Sequence, residues 1–375
     1  MPTDLRWDVP EARVLDELGY YLLAGAGGTG PAALVDETRQ GEALGLGTAF
    51  ISERWNLKEA ASLTGAACAV SDRMHIATAA TNHNTRHPLI TASWATTMHR
   101  LSGGRFTLGL GRGIAAMYQA FGVPPVTTAQ MEDFAQVMRR LWRGEMIFGH
   151  DGPIGSYDLL YLDSDFDEDI RLALVAFGPQ TLALGGRAFD DVILHTFFTP
   201  DTVRRSVQTV KRAAEQAGRD PDTVRVWSCL ATVGDHLPDE VRLTKTVARL
   251  ATYLQGYGDL LVRTNDWDPM VLQRFREDSV VTSIPGGIDH KATTDQIEHI
   301  AGLIPDEWLE PSATGSSQQC ATRIREEFGH GADAVIMHGA TPDELAPVVA
   351  AYRAGDSRAA AGTSRPGPTV SVRPE

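Results

Sequence analysis

Several polar, glycine-containing stretches close short apolar runs, and their residue types suit a flat heteroaromatic group with an anionic arm. They are Ser52-Glu53-Arg54-Trp55-Asn56, Thr81-Asn82-His83-Asn84-Thr85-Arg86-His87, Gly111-Arg112-Gly113, Gly178-Pro179 and His195-Thr196. Asn82 offers both a donor and an acceptor to the edge of a heterocycle. Glycines such as Gly111, Gly113 and Gly178 let backbone N–H groups approach a ring or a phosphate. Gly178-Pro179 opens a helix, so free N–H groups there can receive an anion. Arg112 can add a bidentate contact to the same anion.

These stretches need a scaffold that brings them together. Short apolar runs alternate with helical patterns along the chain. Strands are expected over 19–23, 48–51, 74–80, 106–110, 171–177, 192–195, 224–233 and 334–338. Helices are expected over 31–44, 58–69, 88–101, 128–142, 181–189, 201–217 and 342–354. Such βα alternation is the pattern of a parallel sheet. Pro31, Pro88 and Pro342 suit first-turn positions, and Thr128 and Asp201 suit N-caps. A doubly wound open sheet competes, because Gly25, Gly27, Gly28 and Gly30 follow the first run. No acidic residue closes the second strand at the distance a dinucleotide fingerprint needs, so eight βα units favour a (β/α)₈ TIM barrel. Residues 1–354 are expected to form this single domain. Segments 145–169, acidic and loop-like, and 238–310, mostly helical, are insertions before strand five and between strands seven and eight. Residues 355–375, rich in Gly, Ser, Pro and Ala, are expected to be a disordered tail.

Bulk properties exclude several classes. The net charge of −14 repels nucleic acid and anionic membranes. No stretch reaches the length of a membrane span, and residues 1–10 lack the apolar core of a signal peptide. Cys68, Cys229 and Cys320 lie far apart, so neither a disulfide framework nor a thiolate metal site is expected. A cytoplasmic location is the expectation. In a barrel, catalytic groups sit at the C-terminal ends of the strands, which is where the polar stretches fall. Plainer readings stand beside the functional ones. Glu53–Arg54 could be a rim ion pair, His83 a solvated loop residue, and His195 a satisfied core histidine. His83 and His87 share a metal-like spacing but lack an obvious third ligand, so no metal is expected.

The "TNHNTRHP" stretch from Thr81 to Pro88, taken with "LSGGRF" from Leu101 and "LGLGRG" from Leu108, resembles the luciferase-like oxidoreductases. Within them the "TN…TRHP" form is similar to the branch that uses the 8-hydroxy-5-deazaflavin coenzyme F420, including methylene-tetrahydromethanopterin reductases. The resemblance covers most of residues 19–354. It implies hydride transfer between the deazaflavin C5 and a small organic substrate. FMN-dependent monooxygenation is the alternative, and a catalytically silent flavin-binding barrel a further one. It also implies a non-prolyl cis peptide at Ala79–Ala80 against the ring, and a phosphate-side loop at Ala176, Phe177 and Gly178. By the same likeness, Arg112 is a phosphate contact and Glu53 the acidic member of the strand-two pair. Thr81, Asn82 and Thr196 complete the cofactor set, and Trp55 and Phe177 line the substrate side. A homodimer through barrel helices two and three is implied as well. Two departures matter. Arg54 stands where many relatives have His, and Ile114 where sugar-phosphate dehydrogenases have their proton-donating Glu. Proton transfer then falls to Glu53, His83 or His195.

Overall fold

The computed structural model describes residues 13–24, 30–54, 57–163 and 165–362. Eight parallel strands close into a ring: β1 (Leu15–Tyr21), β2 (Leu46–Ile51), β3 (His75–Thr78), β4 (Phe106–Leu110), β7 (Arg171–Val175), β8 (Asp191–Ile193), β9 (Arg225–Gly234) and β11 (Ala334–His338). Pairing of β8 with β9 and of β11 with β1 completes the closure. Every residue of β2 and β4 is buried, as expected where helices cover the outside and side chains fill the inside. The interior holds Phe50, Ala77, Ala173, Ile193, Trp227 and Ile336. Phe50 meets Trp227 edge-on, with ring centroids 5.0 Å apart.

The enclosing helices are α1 (Leu34–Ala43), α2 (Ala60–Val70), α3 (Pro88–Leu101), α4 (Ala115–Ala120), α5 (Thr128–Trp142), α6 (Pro179–Ala188) and α7 (Pro200–Gln216), with α15 (Ser317–Gly329) and α16 (Pro342–Gly362). Their starts follow local chemistry. Thr127, rather than Thr128, caps α5 in a reciprocal box with Gln130. Thr199 caps α7, which leaves Asp201 in the first turn, where a negative charge favours the helix dipole. Val203, Val207, Val210 and Ala214 give α7 one apolar stripe that packs on the barrel. The last helix continues past residue 354 to Gly362.

Two insertions differ in kind. Residues 145–169 were expected to be loop-like, but they contain an antiparallel hairpin, β5 (Ile147–Gly152) and β6 (Gly155–Leu160). Ile147 pairs with Leu160 and both are buried, while Phe148 and Leu159 pair on the exposed face. That alternation was masked by the acidic residues around it. The segment 238–310 is helical, as expected: α8 (Asp239–Leu243), a π-helical turn (Thr244–Ala248), α9 (Arg249–Asn265), α10 (Pro269–Glu277), α11 (Ser279–Ser283), α12 (Ile288–Lys291), α13 (Thr294–Ala301) and α14 (Asp306–Leu309). A ninth strand, β10 (Ser312–Gly315), pairs with the far half of the ten-residue β9 beyond the ring. Among the described residues no helix is long and apolar enough to cross a membrane.

Candidate active site

The mouth of the barrel at the strand C-termini holds the site. Strands β3, β7 and β8 end earlier than their apolar runs, at Thr78, Val175 and Ile193. The next residues keep one ladder bond and then turn into the mouth: Ala79 N donates to Ile51 O, Ala176 N to Ile193 O, and Leu194 N to Trp227 O. The Ala79–Ala80 peptide is cis, at the place expected. The small residues Ala79 and Ala80 line a cavity of about 240 Å³ together with Val175, Leu194 and Tyr21. Its walls come from Ser52, Glu53, Arg54 and Lys58 after β2, from Thr196, Cys229 and His338, and from Arg249, Tyr253 and His290 of the helical insertion.

Glu53 is not a free base. Its side chain is 1% exposed and is held by Arg86, whose guanidinium donates at 2.5 and 3.0 Å. The Thr81 hydroxyl donates to it at 2.5 Å and Ala60 N at 3.2 Å. Arg86 also bridges to Glu59, the N-cap of α2. The rim-pair reading named Arg54 as the partner; the structure gives that role to Arg86, because the loop after β3 folds back across β2.

His195 carries a defined proton. Its Nδ1 lies 2.9 Å from the Thr196 carbonyl, which can only accept, so Nδ1 donates. Burial pushes its pKa down to about 4, so the ring is neutral and Nε2 is an acceptor. Tyr257 donates its hydroxyl to that Nε2 at 2.8 Å. Tyr257 sits where α9 breaks, with φ −155° and ψ 35°. Phe177 packs on the imidazole with centroids 4.7 Å apart, and Tyr253 meets it edge-on at 4.8 Å. The imidazole orients and accepts; it does not offer a proton through Nε2 in this arrangement.

His83 lines neither chamber of the mouth. It lies buried beside Phe134, centroids 5.5 Å apart, and desolvation lowers its pKa to about 4. His338 is likewise held well below its usual value by burial and by nearby Arg249. These imidazoles make the fold acid-sensitive. For both, the folded pKa lies below the unfolded one, so the stabilisation is complete above about pH 6.5 and is lost as pH falls, for His83 toward about 4. For His83 alone the loss reaches about 3 kcal/mol. Urea midpoints at pH 7 and pH 4.5 should separate widely for the native chain and less for His83→Phe; equal separations would dismiss His83 as a source.

A second, open chamber of about 1090 Å³ adjoins the first and shares Val175 and His195 with it. Arg112, Gly113, Phe177, Gly178, Pro179, Tyr257 and Arg205 are among its lining residues. Gly178 is the N-cap of α6, makes no side-chain cap and has open space where a Cβ would lie. In the first turn of α6, Pro179 has no N–H and Thr181 N donates to Gly178 O at 3.0 Å, which leaves the Gln180 N–H as the donor an anion could meet there. Arg112 anchors Nη1 on Val126 O at 3.1 Å and Nη2 on the Thr128 hydroxyl, while its buried Nε has no hydrogen-bond partner.

Three expected cofactor contacts also make scaffold contacts in this arrangement. Asn82 is buried and donates to Gly111 O at 2.7 Å, tying the end of β3 to β4. Thr81 serves Glu53, as above, and Thr196 contacts Cys229 Sγ at 3.2 Å. A Cβ on Gly111 would approach Ala80 to 2.8 Å, and Gly113 takes φ +68° against the Tyr118 ring. Trp55 and residues 25–29 of the glycine run lie outside the described residues. Sequence reasoning missed Tyr21, Lys58, Arg249, Tyr253, Tyr257 and His338. The strand-end rule could have found His338, and the i, i+4 spacing of Tyr253 and Tyr257 places them on one helix face. Nothing local says that this face covers the barrel mouth.

Residues 17–334 match the family described as luciferase-like monooxygenase. The 5,10-methylenetetrahydromethanopterin reductase of Methanolobus tindarius is 26% identical over 306 residues, covering 79% of this chain and 86% of that protein. Among solved structures, the coenzyme F420-dependent tetrahydromethanopterin reductase of Methanopyrus kandleri superposes with a TM-score of 0.75 at 20% identity, covering 91% of this chain and 98% of that one. An F420-dependent secondary alcohol dehydrogenase bound to an F420–acetone adduct superposes with a TM-score of 0.67 at 18% identity, over 91% and 100% of the two chains. At these identities the superpositions establish the barrel fold.

Proposed function

The chain belongs to the luciferase-like monooxygenase family, and from that premise we propose that it is an oxidoreductase that binds coenzyme F420 and exchanges a hydride with a small organic substrate. The observation that carries this reading is the two-chambered mouth: a chamber at Ala79 and Ala80 walled by polar groups, sharing Val175 and His195 with a larger chamber that Arg112 and Arg205 line. The F420-dependent reductase and alcohol dehydrogenase whose structures superpose on this chain support the choice of cofactor. When bound, F420 would supply a ring that gives or takes the hydride at C5; the protein supplies placement, anchoring and exclusion of water.

The residues present fit such a group. Ala79, Ala80 and Val175 offer small side chains to a ring. The Gln180 N–H at the start of α6 and the guanidinium charge of Arg112, both on the second chamber, suit a phosphate. His195, fixed as the Nδ1–H tautomer by Thr196 and Tyr257, presents a neutral ring edge at the junction of the chambers. Phe177 and the Tyr253–Tyr257 pair, stacked at 5.5 Å, close the insertion side and limit water. The protonated partner for substrate must come from outside the Glu53–Arg86 pair, whose carboxylate is fully engaged.

Titration of the purified chain with F420 and with FMN, read by ring fluorescence, tests this. F420 is expected to bind at least about tenfold more tightly, a difference of about 1.4 kcal/mol. Preference for FMN would replace the reading with flavin monooxygenation. Tight F420 binding without hydride exchange to a broad panel of carbonyl and alcohol substrates would make the protein a carrier.

A further inference from the structure

The ring-sized chamber holds more positive charge than its own acids neutralise. Arg54 and Lys58 enter it from the turn after β2, and Arg249 and His290 face them from the insertion. Three carboxylates stand close by, and each has other partners. Glu53 is held by Arg86, Thr81 and Ala60. Asp289 faces Arg249 at 3.3 Å and accepts from the Thr252 hydroxyl at 2.9 Å. Glu37, the acid that acts on Lys58 from α1, accepts instead from Leu23 N and Ala24 N at 2.8 and 3.2 Å.

That leaves Arg54 and Lys58. Among the described residues neither makes an ion pair with a carboxylate. Lys58 Nζ reaches only the Leu22 and Ala24 carbonyls, at 3.3 and 3.4 Å, and Arg54 Nη1 lies 3.4 Å from His290 Nε2. Reciprocal backbone bonds, Arg54 N to Lys58 O at 3.0 Å and Lys58 N to Arg54 O at 2.7 Å, hold the two residues side by side. Burial and the Arg54 charge push the Lys58 ammonium down to about 8, the signature of a cation short of a counter-charge. In a chain of net charge −14, two adjacent cations without acids in a concave site mark a place for an anion.

We propose that the substrate of this site is a small organic oxyanion whose carboxylate or phosphate lies on Arg54 and Lys58, with its reacting carbon directed toward Ala79 and Ala80. The assignment rests on the mouth being the hydride-transfer site. Arg54 supplies the planar bidentate fork and Lys58 the point charge, a combination that selects an oxyanion over a neutral isostere. Arg54 thus becomes a specificity feature.

Thermal unfolding of the full chain at constant ionic strength tests it, with malonate, inorganic phosphate and neutral malonamide as probes. Malonate or phosphate should raise Tm in a saturable way, and malonamide should not; whichever anion binds better identifies the headgroup. Arg54→Gln/Lys58→Gln should weaken the anion at least about tenfold, whereas Arg54→Lys/Lys58→Arg should retain it, which separates charge from loss of fold. F420 titrations of the same proteins keep the two proposals apart. If F420 fails to bind while the anion effect persists, the cofactor reading falls and the oxyanion site stands. If F420 binds but the anion effect is absent, or unchanged in the Gln variant, the oxyanion site falls. Competition between malonate and F420 would also overturn it, because the pair would then serve the cofactor.

Discussion

Arg86→Met should cost the fold about 3–5 kcal/mol, because it leaves the Glu53 carboxylate buried at the barrel mouth without its cation. The Glu53 side chain is 1% exposed, so water cannot replace the guanidinium. Arg86 also lies over the Trp94 ring at 5.2 Å, and methionine keeps much of that apolar contact. The double variant Arg86→Met/Glu53→Gln removes the charge along with its partner and should recover at least half of the loss. Urea midpoints for the three proteins decide the matter. Equal losses in the single and double variants would mean that packing, not the uncompensated carboxylate, sets the cost. The functional consequence is specific: Glu53 walls the ring-sized chamber, so an unpaired carboxylate there would also weaken an anionic ligand.

Gly109→Ala should be at least as damaging, on the order of 4 kcal/mol or more. An added Cβ would lie 1.8 Å from the Thr78 carbonyl oxygen, so the backbone of β3 or β4 must move. The same two residues are locked together. Thr78 Oγ1 donates to Gly109 O at 2.9 Å and accepts from Gly109 N at 2.7 Å. Thr81 N donates to Gly109 O at 2.9 Å from the other side of Ala79 and Ala80. Displacing β4 therefore shifts Ala79 and Ala80 as well as the ladder. The expected result is a large drop in thermal midpoint together with loss of F420 binding in whatever folded fraction remains. A stable Gly109→Ala protein with native cofactor affinity would show that the two strands can separate without disturbing the mouth. Gly103→Ala, where a Cβ would meet nothing within 4 Å but φ is +66°, is the control for backbone strain alone.

Both effects depend on contacts that neighbouring residues do not reveal. The "TRHP" stretch marked Arg86 as part of a motif, yet its partner lies 33 residues earlier, after β2. His83 was read as a proton-transfer candidate from its place after a strand, but the short helical turn over His83–Thr85 directs it into the layer between barrel and helices. The place of Gly178 at the second chamber follows from local geometry, because a glycine that ends a strand and opens a helix exposes backbone there, and Arg112 lines the same chamber from the end of β4. The hairpin at Ile147–Leu160 was hidden, since its buried face consists of few residues among many acids.

What the sequence by itself determined was the barrel and the set of strand ends that carry chemistry. Alternating strand and helix periods, proline at helix starts and glycine at strand ends are short-range signals, and eight repeats of them leave few ways to close a parallel sheet. The tertiary structure alone decided which of those side chains are free to act. It engaged Glu53 with Arg86, turned Asn82 toward Gly111, fixed the His195 proton through Thr196 and Tyr257, and left Arg54 and Lys58 without a carboxylate ion pair among the described residues. The physical reason is that burial and pairing set charge and tautomer, and both depend on residues distant in sequence, such as Tyr257, 62 positions beyond His195.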